Sequence, residues 1–311
     1  MNQQVQNILS GNATKTAKII ALLELNLTRS QIADLAVLGK YGAIQNVYAK
    51  WQAGRSGNTL TRLLFSPSTF NKRFGIEIEA HGIDRNRVAQ ALRSAGINCN
   101  AEGYNHDTSA AWKVVTDASL NGTETFELVS PILEGQNGLD QVKTVSEVLT
   151  RLGAQINKSC GLHVHFDASG MNLDNWKRLI TNYATLEGTI DSMMPQSRRG
   201  QTNSYCKSMK INDLQTKINN ARTLDNLRNI FSSRFHKINT QAFSRHRTIE
   251  FRQHSGTFEA EKMINWILFL HNLVDFSKDN TIENDSFNEF KKFNSTETVN
   301  FYHSRIQDLN S

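Results

Sequence analysis

Apolar residues along this chain follow two periods. After residue 70, four short stretches alternate apolar and polar side chains with a period of two, which places one apolar face on each of four strands. In Phe74-Gly-Ile-Glu-Ile-Glu-Ala80, the even positions are apolar and the odd ones carry Glu77 and Glu79. In Glu124–Val129, Phe126 and Leu128 oppose Glu127. In Cys160–Asp167, Leu162, Val164 and Phe166 oppose His163, His165 and Asp167. In Thr248–His254, Ile249 and Phe251 oppose Thr248, Glu250, Arg252 and His254. Strands are predicted over 72–81, 112–117, 124–130, 160–167 and 246–254. Helical periods are predicted between them, over 84–95, 137–152, 172–193, 208–232 and 259–275. The expected class is α+β, an antiparallel-rich sheet with helices on one face.

Residues 14–52 carry a helical pattern. Ile19, Ile20, Leu22, Leu23 and Leu27 form one stripe, Thr28 caps a second helix that runs SQIADLAVL to Gly39, and AIQNVYAKW forms a third after the turn GKYG. This order resembles a small all-α helix-turn-helix module, and a three-helix docking module has the same pattern. Turn-rich stretches at Gln52–Asn58 and from Ser66 divide the chain into a helical module (1–60), a main domain (61–275) and a polar helical tail (276–311).

Composition and charge narrow the setting. The hydrophobic fraction is 39% and the charged fraction 21%, as in globular domains. The net charge is +6, and residues 1–60 hold +4 of it, with Lys15, Lys18, Arg29, Lys40, Lys50 and Arg55 against Glu24 and Asp34. That excess fits either a solvated helical surface or a nucleic-acid or protein partner for residues 1–60. The longest apolar run, Trp266–Leu270, is too short to span a bilayer, so no membrane partner is expected. The start, MNQQVQNILSGN, lacks a secretory pattern, and Cys99, Cys160 and Cys206 form no CxxC. A cytoplasmic location is expected.

The polar faces of the strands carry the chemistry. Glu-x-Glu, His-x-His and Glu-x-Arg are not the Lys, Thr and Ser of a merely wetted face. Crowded carboxylates repel one another unless cations neutralise them. Carboxylates with some imidazole suit Mg²⁺ or Mn²⁺, and a guanidinium beside them suits phosphate. No GxxxxGK[ST] loop is present, so a nucleotide would be held by metals and arginines on a sheet. His106 is either a surface histidine or a substrate contact, Trp112 reads as core, and Cys160 as a small buried residue. His254 and Arg247 are candidates for supporting the polar face from behind.

FGIEIE, WKVVTDASL, ELVSPIL, NKSCGLHVHFD, RGQTNSYC and RHRTIEFRQHSGT occur in this order, and over about 70–275 the chain resembles the amidoligases. The resemblance implies an ATP-dependent carboxylate–amine ligase with a glutamine-synthetase-like catalytic domain, of a kind often bacterial or phage. It implies metal ligation by Glu77, Glu79, Glu127, His163, His165 and Glu250. Arg252 would lie on the transferring phosphoryl group, and Arg198 or Arg199 with Tyr205 on the nucleotide. Asn157, Ser159, Gly161 and Ser119 would hold the acid. Asp117 is the candidate base for the amine; Ala118 stands where the family has glycine. The expected cofactors are ATP with Mg²⁺ or Mn²⁺, and the substrates an amine and the carboxylate of an amino acid, peptide or protein. Two other readings are a zinc hydrolase using His163 and His165, and a DNA-binding regulator acting through the N-terminal helices.

Overall fold

The computed structural model describes residues 3–310 apart from 12, 26, 36–37, 39–43, 46, 49–50, 52–69 and 106. Two compact units divide the described residues, one drawn from 1–64 and 300–311, the other from 65–299. The predicted linkers at 52–58 and from 66 to 69, and His106, lie outside the described residues.

In the first unit, α1 (Gln3–Ser10), α2 (Lys15–Glu24) and α3 (Arg29–Ala33) pack around Val5, Ile19, Leu22, Leu23, Ile32, Leu38 and Ile44. The sequence reading missed α1, whose apolar stripe is short. Thr14 caps α2 by accepting from Ala17 N, and Thr28 with Gln31 forms a reciprocal capping box on α3. The predicted 30–38 helix ends early, because Leu35 N–H closes a tight turn onto Ile32 O at 3.3 Å. Ile44, Gln45, Val47, Tyr48 and Trp51 are helical, within the stretch expected to form the third helix. Arg29 joins this unit together: it donates to Gln45 Oε1 and Asp308 Oδ2, both at 2.7 Å, and its guanidinium lies 4.6 Å from the Tyr48 ring.

The second unit is a mixed α/β arrangement on a mostly antiparallel open sheet. Its strands are β1 (Arg73–Ala80), β2 (Cys99–Ala101), β3 (Trp112–Val115), β4 (Phe126–Val129), β5 (Leu133–Glu134), β6 (Gly161–Asp167), β7 (Ile238–Asn239) and β8 (Thr248–Ser255). Their order is β2-β3-β4-β1-β6-β8-β7, with β5 beside β1. Among the described strand pairs only β2–β3 is parallel. The long helices are α4 (Arg85–Ser94), α5 (Gly135–Leu152), α6 (Leu173–Ser192) and α8 (Ala260–Phe276), and a short α7 (Ala242–His246) leads into β8. The even-numbered side chains of β1, with Leu162, Val164, Phe166, Ile249 and Phe251, are buried on the helix-covered face. There Tyr183 of α6 meets Phe251 with ring centres 5.9 Å apart, and Trp112 donates to Gln141 of α5.

The structure corrects several sequence expectations. β2, β5 and β7 have two or three residues each and carry no readable period. The single helix expected over 208–232 is two short ones, Leu214–Asn220 and Leu224–Asn229. Ala221 is extended, and Thr223 caps the second helix by accepting from Asn226 N. His254 does not share the face of Glu250 and Arg252. Leu162 pairs with His254 but Val164 pairs with Phe251, so Arg252 and Gln253 together oppose His163 in a β-bulge. The extra residue turns His254 to the helix side, fully buried, 5.3 Å from the Trp266 ring.

Candidate active site

Sheet order brings the polar faces together. β1 lies between β4 and β6, so Glu79 is opposite Glu127 and Glu77 is opposite His163. β8 adds Glu250 opposite His165. Antiparallel partners that face one another project to the same side, so these residues gather on one surface. His163, Glu79 and Glu250 are buried, and Glu77 and Glu127 are half-buried.

His163 is the centre of the cluster. Its Nδ1 lies 3.0 Å from Glu77 Oε2 and 3.7 Å from Glu250 Oε1, and its Nε2 lies 3.6 Å from Glu79 Oε1. Two sets of ligand atoms result, Glu77/His163/Glu250 and Glu79/Glu127/His163, and within each set all atoms lie within 4.8 Å of one another. His165 stands beside the first set, with Nε2 3.3 Å from Glu77 Oε1 and Nδ1 3.1 Å from Thr248 Oγ1. Arg252 is ion-paired with Glu250 and its Nη1 lies 3.5 Å from His163 Nδ1.

The electrostatics divide the carboxylates. Burial alone would raise Glu77, but the charges and hydrogen bonds of His165 and His163 hold it well below the usual carboxylate range. Burial opposes ionisation of Glu250 as well, and Arg252 with His165 brings it down. Glu127 goes the other way: burial, then the charges of Glu77, Glu79 and Asp117, push it well above its ordinary value. Burial lowers His165 while Glu77 and Glu250 raise it, and the net shift is upward. A set of carboxylates with one imidazole, one of them made harder to ionise by burial and by its like-charged neighbours, matches what a hard divalent ion requires.

The loops around the cluster place the remaining predicted residues. Asp117 Oδ1 accepts from Ser119 N and Oγ, each at 2.7 Å, and its charge acts on Glu127. Asn157 donates to Asn121 O and accepts from Ser159, whose Oγ in turn accepts from Asn121 N. These bonds join the loop after Asp117 to the loop before β6. Gly161 donates its N–H to Glu79. A Cβ on Gly161 would lie 3.0 Å from His163 Nε2 and 3.2 Å from the Arg198 guanidinium, so the residue stays small. Arg198 is buried and donates to Cys160 O, and Arg199 donates to Met194 O. Tyr205 is 48% exposed with its ring against Phe235, and its carbonyl accepts from Arg252 Nε at 3.4 Å. Arg247 is exposed in a left-handed conformation (φ 57°) with its guanidinium over Phe243, and Trp112 and Cys160 are core residues.

Residues not anticipated complete the surroundings. Asn239 of β7 donates to Glu250 Oε2. Buried Lys113 projects from β3 and donates to Asp107 O at 2.6 Å. Fully buried Lys237 bridges Glu187 and Asp191, and Asp191 also accepts from Gln253 next to Arg252. Lys113 lies in a strand recognised from sequence, yet its partners lie in an irregular loop. Lys237 and Asn239 lie next to or in a strand too short to detect.

The model of the family described as "Putative amidoligase enzyme" matches residues 71–274, about two thirds of the chain. No curated protein matches. The matched span runs from the start of β1 to near the end of α8 and includes every carboxylate, histidine and arginine of the cluster, and so the chain belongs to the amidoligase family.

Proposed function

We propose that this protein is an ATP-dependent ligase that joins a carboxylate to an amine through an acyl-phosphate, on a glutamine-synthetase-like catalytic domain. The observation that carries this reading is the pair of carboxylate–imidazole sets meeting at His163 with Arg252 beside them. Glu77, Glu250, Glu79 and Glu127 would hold Mg²⁺ or Mn²⁺. A neutral imidazole has a lone pair on only one nitrogen, so His163 serves one set at a time. The metal would offset negative charge on the triphosphate and on the phosphoryl group in transfer.

The chain's own groups then do the following. Arg252, held by Glu250 and the Tyr205 carbonyl, offers its guanidinium to the phosphoryl oxygens. Buried Arg198, fixed on Cys160 O, flanks the same edge of β6. The loop of Asn157, Ser159, Gly161 and Ser119 orients the acid, whose oxygen attacks the γ-phosphorus. The bond from that phosphorus to the β–γ bridging oxygen breaks and ADP leaves. The amine then attacks the acyl carbon, the carbon–oxygen bond to phosphate breaks, and the amine's proton goes to Asp117. Orientation of Asp117 by Ser119 suits that role.

The zinc hydrolase reading has less support, since each set holds one imidazole and two carboxylates and the family is an amidoligase family. Residues 1–60 are read as a targeting module for a nucleic acid or protein. The test is phosphate release from ATP with Mg²⁺, screened against amino acids and peptides, beside Glu77→Gln. The substitution should lower the rate by about two orders of magnitude or more. Release at an unchanged rate would remove Glu77 from the site and the reading with it.

A further inference from the structure

The odd-numbered face of β1 reads Arg73, Gly75, Glu77, Glu79, so one position in the polar row has no side chain. The backbone does not demand glycine there. Gly75 has no left-handed φ, and a Cβ built on it would meet only His165 Cβ and Ser130 Oγ, both at an ordinary 3.7 Å. What the missing side chain leaves is room. Gly75 forms part of the floor of a cavity of about 400 Å³. One wall is Val129, Pro131 and Ile132, and the opposite wall is His165 and His246, whose rings meet edge to face 6.3 Å apart. Ile132 is 63% exposed, a large apolar side chain presented to that space. At the inner end the cavity reaches Glu77 and Glu127, a member of each metal-binding set.

This gradient has a direct chemical reading. The inner end suits an anionic head held through a divalent ion, and the middle suits an uncharged, flat or slender group resting on bare strand backbone. Pockets of this volume bury most of a small organic ligand, and apolar walls supply the affinity. We propose that the cavity over Gly75 binds the uncharged body of an anionic substrate whose phosphate or carboxylate head lies at Glu77 and Glu127, and that Gly75 sets the pocket's depth. This rests on the ligase reading for the placement of the head. Two substrates of that reaction have this chemistry, the nucleotide with its base and the carboxylic acid with its side chain.

Binding rather than turnover tests the pocket, so its failure is separate from that of the ligase reading, which fails when ATP releases no phosphate. Equilibrium affinities are measured with Mn²⁺ for a non-hydrolysable ATP analogue, L-glutamate, hippurate and glycyl-phenylalanine. The proteins are the full chain and Gly75→Ala, Gly75→Val and Gly75→Leu. Affinity for one class of probe should fall with the size of the new side chain, by about tenfold or more at valine, while unliganded melting stays constant. Loss confined to the nucleotide assigns the base to the pocket, and loss confined to an acid assigns the acid's body. If melting also falls, Val129→Phe decides, because it narrows the cavity from β4 and should give the same selective loss. Affinities independent of residue 75, or a wild type that binds no probe, overturn the proposal.

Discussion

On the even-numbered side of β1, Phe74, Ile76, Ile78 and Ala80 lie under helices. On the odd-numbered side of the same strand, Glu77 and Glu79 meet other charged groups. The helix face gains stability from every apolar contact. The open face assembles like charges against their mutual repulsion, which adds to burial in raising Glu127 and is tolerated only where a ligand or a fixed cation will compensate it. The comparison shows that one strand can serve stability and chemistry at once, because alternate residues are insulated from each other by the sheet itself.

Substitutions on the two faces should therefore separate. The largest effect is expected for Trp266→Ala on the helix face, which empties space around a fully buried indole. Urea denaturation should show about 3–5 kcal/mol lost. A loss under 1 kcal/mol would mean that the helix face is not the seat of stability. Next is Arg252→Met on the open face. Ligase turnover should fall by about two to three orders of magnitude, while the urea midpoint falls by less than for Trp266→Ala, since Glu250 can take up a proton once its partner is gone. Comparable losses of activity and stability would end the distinction.

A third prediction uses pH. Burial brings His271 down to about 4, and it packs edge to face on Phe70 with ring centres 5.1 Å apart. The folded form keeps it neutral while the unfolded chain binds a proton below its ordinary value. Its stabilising contribution is thus complete above about pH 6.5 and is lost as pH falls towards 4, by up to about 3 kcal/mol. His271→Leu should flatten that part of the stability curve; an unchanged slope would exclude this residue as its source.

The smallest effect is expected at Glu127. Glu127→Gln removes a charge that its neighbours disfavour, so the metal-free protein should gain about 1 kcal/mol at neutral pH. Because its folded value is raised, the destabilisation that it causes should grow as pH rises above the ordinary carboxylate range. The same substitution should reduce the upward melting shift caused by Mn²⁺. A variant as responsive to Mn²⁺ as the wild type would take Glu127 out of metal binding.

Much of the site was legible because strand alternation is a local property. Each of Glu77, Glu79, Glu127, His163 and Glu250 could be assigned to the polar side of its own strand. The bulge at Arg252–Gln253 was not legible, since an extra residue is defined only against a partner strand, and it carried His254 to the opposite face. The 208–232 segment kept a helical composition while Thr223 found better bonding as a cap, which a periodicity count overlooks. Between Arg198 and Arg199, adjacent at the end of the short 3₁₀ helix Gln196–Arg198, no pattern could choose. Their hydrogen-bond partners distinguish them, Cys160 O just before β6 for Arg198 and Met194 O for Arg199.

Sequence by itself determined which side chains share a face within each element, the chemistry that they offer and the family, because these depend on neighbours a few residues apart along the chain. Only the tertiary structure decided that β1 lies between β4 and β6, that one imidazole meets both pairs of carboxylates, and that the space above Gly75 stays open. Those facts depend on which distant strands pair and in what register, and pairing is selected by the packing of the whole sheet against its helices.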